Sequence, residues 1–160
     1  MALPNALGLI FSTMSVANAI VDIPVLRAPL YPATEFNKKR GLHAPAIESV
    51  PAYQYRYAEG VRMGHQIIHG ATISTLIWSL TSVRTSRYPI FVAMIFEIAS
   101  LAVAPLLLSV MEEIFSAKRA GDVVSGTEKL IRRQVLRNAF LHVPCMLCCL
   151  WAVLQTSSRP

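Results

Sequence analysis

The stretch that decides the fold runs from Tyr53 to Trp78 and reads YQYRYAEGVRMGHQIIHGATISTLIW. Its first half is polar with helical spacing, and its second half leads into an apolar segment long enough to enter a membrane. His65 and His69 lie at the junction, four residues apart, so both side chains fall on one face of the helix. The sequence therefore predicts a membrane helix with a polar face, around which the rest of the chain is arranged.

The composition is typical of an integral membrane protein. The chain has 160 residues, of which 54% are hydrophobic and 15% charged, and its mean hydropathy is +0.47. Soluble domains have about a quarter of their residues charged. At this length we expect a single membrane domain over residues 1–160. The formal net charge is +6, but the longest basic run is Lys38-Lys39-Arg40, so we expect no nucleic-acid partner.

Four segments match the length of a membrane helix, which is about 17–25 residues. They cover residues 7–26, 65–83, 89–111 and 138–154. We therefore predict an all-α fold: a polytopic membrane protein with a bundle of four transmembrane helices. Its long first loop should contain an amphipathic helix that extends into the second span. Pro24, with Pro29 and Pro32 after it, is expected to close the first span at about Leu26, and Pro105 can kink the third.

Capping patterns predict where two of these helices begin. Ser49 followed by Pro51 is typical of a helix start, and that helix should run on into the second span. In the third loop Gly121 is expected to break the helix, and Ser125 with Glu128 then fits a capping box. We therefore predict a helix from Thr127 that continues into the fourth span.

Lys and Arg are distributed unequally between the loops. The first loop (residues 27–64) carries six and the third loop carries six, whereas the second loop and the C-terminal tail together carry three. The positive-inside rule places loops rich in Lys and Arg in the cytoplasm. We therefore expect loops 1 and 3 to be cytoplasmic and both termini to lie on the opposite side.

Every predicted span carries polar residues at helical spacing. The stripes comprise Ser12, Ser15, Asn18 and Asp22, then His65, His69 and Thr72, then Glu97 and Ser100, and finally Asn138, His142, Cys145 and Cys149. Ionisable groups are costly in lipid and normally face the interior of a bundle. Four such faces are hidden from lipid only if they turn inward together.

The position of each polar residue along its span predicts its depth. Near the side of loops 1 and 3 lie Asp22, His65, His69, Asn138 and His142, which we expect to form one layer. Glu97 lies 14 residues before Met111. It should therefore be on the order of 20 Å deeper, at about 1.5 Å per residue. We expect Glu97 at the floor of a cavity below that layer.

Simpler roles stay open for several of these residues. Ser and Thr often serve only as contacts between helices, which is the favoured role for Ser12, Ser15, Thr72 and Ser100. A histidine at a membrane boundary can be merely interfacial, and for His65 this alternative weighs as much as a site role. Asp22 can pair with Arg27. An isolated carboxylate such as Glu97, by contrast, needs a partner or a proton.

A metal site is the sharper alternative for the histidines. The residues between His65 and His69 are Gln-Ile-Ile, so the HExxH pattern is absent. Nothing in the spacing fixes a site that would include His142 and Asp22, and we expect no metal. The three cysteines, all in the last span, are interpreted as buried small hydrophobic residues.

Four short motifs give the chain a family resemblance. They are Ile23-Pro24-Val25-Leu26, Tyr53-x-x-x-Tyr57-x-x-Gly60, Ala104-Pro105 and Leu136-Arg137-Asn138. In these residues the chain resembles the DUF1772 group of four-helix membrane proteins, which includes fungal anthrone oxygenases. It departs from that group at Leu107 and at Ile114-Phe115, where the family typically has a Thr and then Thr-Asn. The likeness extends over most of the chain and bears on the fold more than on the activity.

The resemblance implies a membrane-bound oxidoreductase of secondary metabolism. It would oxidise a polycyclic aromatic of the anthrone type with O₂ to a quinone, without a cofactor. The resemblance also suggests the endoplasmic reticulum, with the mitochondrial inner membrane as the alternative. Such chemistry needs a base that removes a proton and leaves a carbanion for O₂ to attack.

The candidate site residues follow from this chemistry and from the polar stripes. We expect His65 or His69 to be the base, in a largely apolar cavity. The groups expected to orient the reaction are Tyr57, Asn138 and His142. The residues expected to bind substrate are Asp22, Asn18, Glu97 and Tyr53.

Two other functions stay open. In a non-catalytic membrane subunit or assembly factor, the polar stripes would serve to hold helices together, and the missing Thr and Asn positions favour this. A small transporter using Asp22 and Glu97 would need an oligomer, and the sequence shows no inverted repeat. The expected partners are the lipid bilayer, a small aromatic substrate and O₂, and the arrangement is compatible with a homo-oligomer.

Overall fold

The computed structural model describes residues 2–27, 50–83, 87–117 and 120–158, apart from the side chains of residues 27, 50–62 and 120. The irregular part predicted for the first loop, residues 28–49, lies outside the described residues. The same holds for the side chains of Tyr53 and Tyr57, which were expected at the site.

The described residues form six α-helices and one π-helical segment. The helices are α1 (Leu3–Arg27), α2 (Val50–Ser82), α3 (Arg87–Ala102), α4 (Ala104–Phe115), α5 (Ala120–Arg137) and α6 (Val143–Ser157). The π-helical segment, Asn138–His142, joins α5 to α6 without a break. The chain thus makes four long runs: α1, α2, α3 with α4, and α5 with α6. The prediction of an all-α fold is confirmed.

The four runs form a closed bundle. Helix α1 packs on α2 and α6, and α3 packs on the same two helices. At one end α4 packs on α5, and α5 also packs on α1. Helix α1 therefore lies diagonally opposite α3, and α2 opposite α6, so each run turns one face towards a shared centre.

Proline shapes two of the runs. Pro105 has no N–H for the carbonyl group of Leu101, and the third run is interrupted at Val103, as the sequence predicts. Helix α1 continues through Pro24 to Arg27, next to the end predicted for the first span at about Leu26. Pro29 and Pro32, which were expected to close this span together with Pro24, lie outside the described residues.

The prediction of helix starts is right in one case and wrong in the other. Helix α2 begins at Val50, with Pro51 in its first turn, and runs unbroken into the predicted second span. Helix α5 begins at Ala120 and not at Thr127. Gly121 lies in the first turn of this helix, where a glycine lowers helix stability only a little. The carboxylate of Asp122, next to it, interacts favourably with the positive end of the helix dipole.

The bundle is inverted relative to that of a soluble protein. Large hydrophobic side chains are exposed on every run, among them Ile20, Ile67, Ile77, Phe91, Ile95, Phe140 and Leu154. The buried side chains include about as many polar as hydrophobic residues. In water this would forfeit the main driving force of folding, which is the burial of apolar surface. The distribution suits a chain whose outer surface contacts lipid.

Three helical runs of the described chain are long and apolar enough to cross a membrane. They are Leu3–Leu26, Arg87–Phe115 and Gly121–Ser157. The predicted span over residues 65–83 is not among them. Polar residues such as Gln66, His69 and Thr72 lower the hydropathy of this part of α2.

Two apolar clusters enclose a polar layer. One cluster, from α1, α4 and α5, comprises Leu26, Val110, Ile114, Val123, Leu130 and Ile131. The other, from α2, α3 and α6, comprises Leu76, Ile90, Ala93, Cys145, Cys149 and Ala152. Along the helical runs, the buried residues that lie between the two clusters are polar. They are Asp22, His69, Glu97, Ser100, Gln134, Asn138 and His142. The fold thus places polar groups from all four runs in a layer closed by apolar packing at both ends.

Candidate functional site

The centre of the polar layer is a histidine–carboxylate pair. Nδ1 of His69 on α2 donates to Oε1 of Glu97 on α3 over 2.5 Å. The two side chains are 9% and 1% exposed, so the pair is hidden from the surroundings of the bundle. A hydrogen bond to an ionised acceptor in such a place is stronger than one between neutral groups. The contact joins α2 to α3 across the bundle interior.

Arg137, in the last turn of α5, approaches His69 from its other side. Its Nη2 group donates to Nε2 of His69 over 3.3 Å, and its Nε group donates to Oγ of Ser100 over 2.9 Å. A guanidinium has only donors, so Nε2 of His69 must be the acceptor. With Nε2 as the acceptor, the proton of His69 lies on Nδ1, and the ring lies between the carboxyl group of Glu97 and the guanidinium group of Arg137.

His142, on the π-helical segment, stacks on His69. The two ring centroids are 5.5 Å apart, and the rings are inclined by 27°. Nε2 of His142 lies 3.4 Å from Oγ of Ser100. Since that oxygen accepts from Arg137, its own hydrogen is available to donate to His142. The hydroxyl group thus links the arginine to the second histidine.

The local fold brings His142 into this position. Pro144 cannot donate to the carbonyl group of Phe140, and the turn before it is widened to π geometry. In that turn the N–H of Val143 bonds to the carbonyl group of Asn138. Asn138 and His142 are both buried on the inner side of the segment.

A second histidine–carboxylate pair lies beside the first. Nε2 of His65 lies 3.5 Å from Oδ2 of Asp22, and the two side chains are 30% and 10% exposed. Gln134 donates to the same Asp22 oxygen over 3.4 Å. The rings of His65 and His69 have centroids 6.5 Å apart. His65 is thus the more accessible histidine, and His69 the enclosed one.

The hydroxyl groups of the polar stripes behave differently from the ionisable groups. Those of Ser12, Ser15, Thr72 and Thr75 all donate to carbonyl groups of their own helix. Contacts between runs in the polar layer are made by His, Glu, Arg, Asp and Gln side chains, together with Ser100 and with Cys145, whose Sγ lies 3.9 Å from Oε2 of Glu97. The polar layer is therefore more than a set of Ser and Thr contacts between helices.

The structure places six of the predicted site residues in one layer, which are the five expected there and Glu97. The five are Asp22, His65, His69, Asn138 and His142, which were expected to form one layer. The expected depth of Glu97 is wrong, because Glu97 contacts His69 directly. Helices α2 and α3 form an antiparallel hairpin, in which His69 lies 13 residues before Ser82 and Glu97 lies 10 residues after Arg87. Counting from that turn, and not from Met111, would have placed the two side by side.

Arg137 and Gln134 are the site residues that sequence reasoning missed. Both lie on the helix predicted from Thr127, but upstream of Asn138, where the last span was taken to begin, so they were left out of the polar stripe. A signal was present, since residues 134, 138 and 142 repeat at helical spacing and extend the polar stripe upstream. Asn18, which was expected to bind substrate, is only half-buried.

Two other kinds of site were sought among the described residues: a group of metal-binding side chains and a cavity at the surface. Within the described ranges no three His, Cys, Asp or Glu side chains are grouped so as to hold a metal ion. A depression of about 540 Å³ lies on α5, lined by Glu128, Lys129, Ile131, Arg132, Val135 and Leu136. None of the residues of the polar layer lines it.

Comparison of the chain with models of protein families, with curated proteins and with solved structures finds no match. The polar layer itself therefore carries the functional assignment.

The contact between His69 and Glu97 should appear as energetic coupling. His69→Gln and Glu97→Gln are each expected to destabilise the protein, because each leaves its buried partner with a poorer hydrogen bond. The double variant should be less destabilised than the sum, by about 0.5–3 kcal/mol. Reversible unfolding of the purified protein in mixed micelles measures all four free energies of unfolding.

A matched pair on the same helices serves as the control. Gln66 is exposed on α2, so Gln66→Ala and Glu97→Gln should add within about 0.5 kcal/mol. Strict additivity for His69 and Glu97 as well would show that the two side chains do not interact.

Proposed function

We propose that the polar layer is the catalytic centre of a membrane oxidoreductase. It would oxidise a polycyclic aromatic of the anthrone type with O₂ to the corresponding quinone. The observation that carries the proposal is the position of His69 between Glu97 and Arg137. His69 can take a proton. Glu97 can then stabilise the positive charge on His69, and Arg137 can stabilise the negative charge on the substrate.

The first step is removal of a proton from the methylene group of the substrate. In the resting centre Nε2 of His69 is occupied by Arg137. A substrate carbonyl group beside the guanidinium competes for its N–H groups and frees Nε2 to act as the base. The proton moves to Nε2, and the electron pair is delocalised to the carbonyl oxygen as an enolate.

Every charge formed in this step has a partner. The imidazolium of His69 remains bonded to the Glu97 carboxylate, and the enolate oxygen is bonded by Arg137. Charges left without partners in a buried site cost several kcal/mol each, so such pairing decides whether the step is feasible. A positioned general base contributes about 10²–10⁴-fold in rate, and an oxyanion donor about 10²–10³-fold.

O₂ then completes the oxidation. The carbanion adds O₂ to give a peroxide, which takes back the proton from His69. Loss of the remaining hydrogen from the same carbon, with cleavage of the O–O bond, gives the carbonyl group of the quinone. The carbon loses two hydrogens and gains one oxygen atom, and the other oxygen atom leaves as water.

The main alternative is a membrane subunit without catalytic activity. It would use the polar stripes to hold helices together. This alternative has less support for two reasons. The hydroxyl groups of the stripes bond within their own helices, and the contacts between helices in the polar layer are made mainly by ionisable side chains. Ionisable residues inside a membrane bundle generally mark a functional site.

The proposal includes a membrane arrangement with four spans. Ile67, Ile77 and Trp78 are exposed on α2, whereas His69 and Thr72 are buried. An apolar outer face is compatible with α2 crossing the bilayer despite its lower hydropathy. The distribution of Lys and Arg supports cytoplasmic loops 1 and 3. The compartment that the family resemblance suggests is the endoplasmic reticulum.

Glycosylation reports this topology. Lys39→Thr creates an acceptor at Asn37 in the first loop and should stay unmodified in microsomes. An acceptor appended after Pro160 should be glycosylated, because both termini are expected in the lumen. A mass shift for the first variant and none for the second would show the opposite orientation.

Oxygen uptake by membranes supplied with an anthrone tests the activity. Membranes containing the protein should consume O₂ and form the quinone chromophore faster than empty membranes. His69→Gln should lower the rate by about 10²–10⁴-fold. His65→Gln should have a smaller effect, because His65 is partly exposed and does not contact Glu97 or Arg137 among the described contacts.

Gln66→Asn is the matched control, since Gln66 is exposed on the same helix. It should retain the full rate. Full activity of His69→Gln in membranes that contain as much folded protein as the wild type would exclude His69 as the base.

A further inference from the structure

The depression on α5 combines charged and apolar side chains in a fixed order along the helix. Its charged lining residues are Glu128, Lys129 and Arg132. Its apolar lining comes from Ile131, which is buried, and from Val135 and Leu136, which are 43% and 47% exposed. Charge therefore gives way to apolar surface just after Arg132, in the direction in which α5 leads into the last predicted span.

Three of the four cations of α5 are engaged by the bundle itself. Lys129 forms an ion pair with Glu113 on α4 over 2.7 Å. Arg133 donates to a carbonyl group of α4 over 2.6 Å. Arg137 belongs to the polar layer, where both of its described hydrogen bonds lie. These three cations have their partners within the chain.

The fourth cation, Arg132, is exposed, and no hydrogen bond or ion pair among the described residues engages it. Glu128, one turn before it on the same helix, takes part in an interaction of its own. A guanidinium group presents its N–H donors in a planar fork that matches two oxygen atoms of a phosphate group. Arg132 thus offers an anion outside the chain donors that the bundle leaves unused.

The proposed membrane arrangement places this guanidinium group at the level of lipid headgroups. Arg132 lies six residues before Asn138, the first residue of the last predicted span, which is about 9 Å along a helix. Val135 and Leu136 lie between the two, at the edge of the hydrocarbon. The third loop is expected on the cytoplasmic side, where the membrane surface carries anionic lipids.

We propose that the depression on α5 binds one anionic glycerophospholipid of the cytoplasmic leaflet. Its phosphate group bonds to the guanidinium group of Arg132, and one acyl chain lies along Val135 and Leu136. The carboxylate of Glu128 repels a second negative charge, so the lipid is a phosphodiester with a single negative charge. The inference rests on the membrane arrangement proposed above and not on the oxidation.

The two parts of the depression together exclude simpler ligands. Free phosphate would bond to Arg132 and leave Val135 and Leu136 uncovered. A choline lipid carries its own cation beside the phosphate group, so an unpaired guanidinium group attracts it less. Lipid that only surrounds the bundle would contact Val135 and Leu136 without any dependence on the charge of Arg132.

Native mass spectrometry of the purified protein in uncharged detergent micelles tests the inference. The probes are dioleoylphosphatidylglycerol and dioleoylphosphatidylcholine, which have the same acyl chains and differ in the headgroup. The first phosphatidylglycerol should bind about tenfold more tightly than the first phosphatidylcholine, or ~1.4 kcal/mol. Arg132→Gln should bring the two affinities together. Arg132→Lys should keep part of the preference, because it retains the charge but not the paired donors.

The apolar part and the source of the phosphate group have tests of their own. Serine at both Val135 and Leu136 should weaken the binding of both lipids equally. Phosphatidylglycerol should raise the temperature of thermal unfolding of the wild type, and inorganic phosphate should not. An equal rise with inorganic phosphate, lost in Arg132→Gln, would assign the site to free phosphate and overturn the inference.

Arg87→Gln is the matched control, because Arg87 is exposed at the start of α3 and undergoes the same change of charge. It should keep the preference for phosphatidylglycerol. A wild type without this preference would overturn the inference, and so would a preference that survives in Arg132→Gln. Unchanged thermal unfolding of Arg132→Gln in detergent alone shows that this variant is folded.

The outcomes separate this inference from the proposed oxidation. Turnover of an anthrone without a preference for phosphatidylglycerol would exclude the lipid site and leave the oxidation standing. A preference that depends on Arg132, without any turnover, would establish the lipid site and contradict the oxidation.

Discussion

The hydrogen bond between His69 and Glu97 is the interaction on which the rest of the bundle depends. A carboxylate that is 1% exposed inside an apolar bundle needs a partner, because an isolated buried charge costs several kcal/mol. The partner comes from the neighbouring helix, so the polar faces of α2 and α3 must turn towards each other. Arg137 supplies the compensating positive charge from the fourth run. Asp22 and His65 extend the same layer to α1, and two apolar clusters close it at either end.

This arrangement also suits the chemistry that we propose. Flat aromatic ketones and O₂ both partition into lipid, so a centre inside a membrane-embedded bundle would meet them where they are concentrated. Deprotonation of a carbon acid in an apolar site is normally unfavourable, because it separates charge. Here the negative and positive charges of the products already have partners in Arg137 and Glu97. The position of His69 between Glu97 and Arg137 is therefore a feature that a catalyst can use, beyond its contribution to helix packing.

The sequence predicted much of the fold and the membership of the polar layer, but not its internal geometry. Helical spacing of polar residues in apolar segments was sufficient to identify Asp22, His69, Asn138 and His142. It failed for Glu97 because depth was counted from the wrong end of a helical hairpin. It missed Arg137 because this residue lies just upstream of Asn138, where the apolar span was taken to begin, and was counted among the basic residues of the third loop. The π-helical segment depends on packing that no local pattern encodes. The resemblance to anthrone oxygenases, and with it the activity, stays a prediction.

The central claim is that His69 removes a proton from the substrate, and deuterium exchange without O₂ tests it most directly. Membranes containing the protein would be incubated with an anthrone in D₂O under anaerobic conditions. Deuterium in the methylene group would be followed by mass spectrometry. The account predicts exchange faster than in empty membranes, lost in His69→Gln and retained in Gln66→Asn. Exchange at the rate of empty membranes, in a preparation that consumes O₂ once air is admitted, would contradict it.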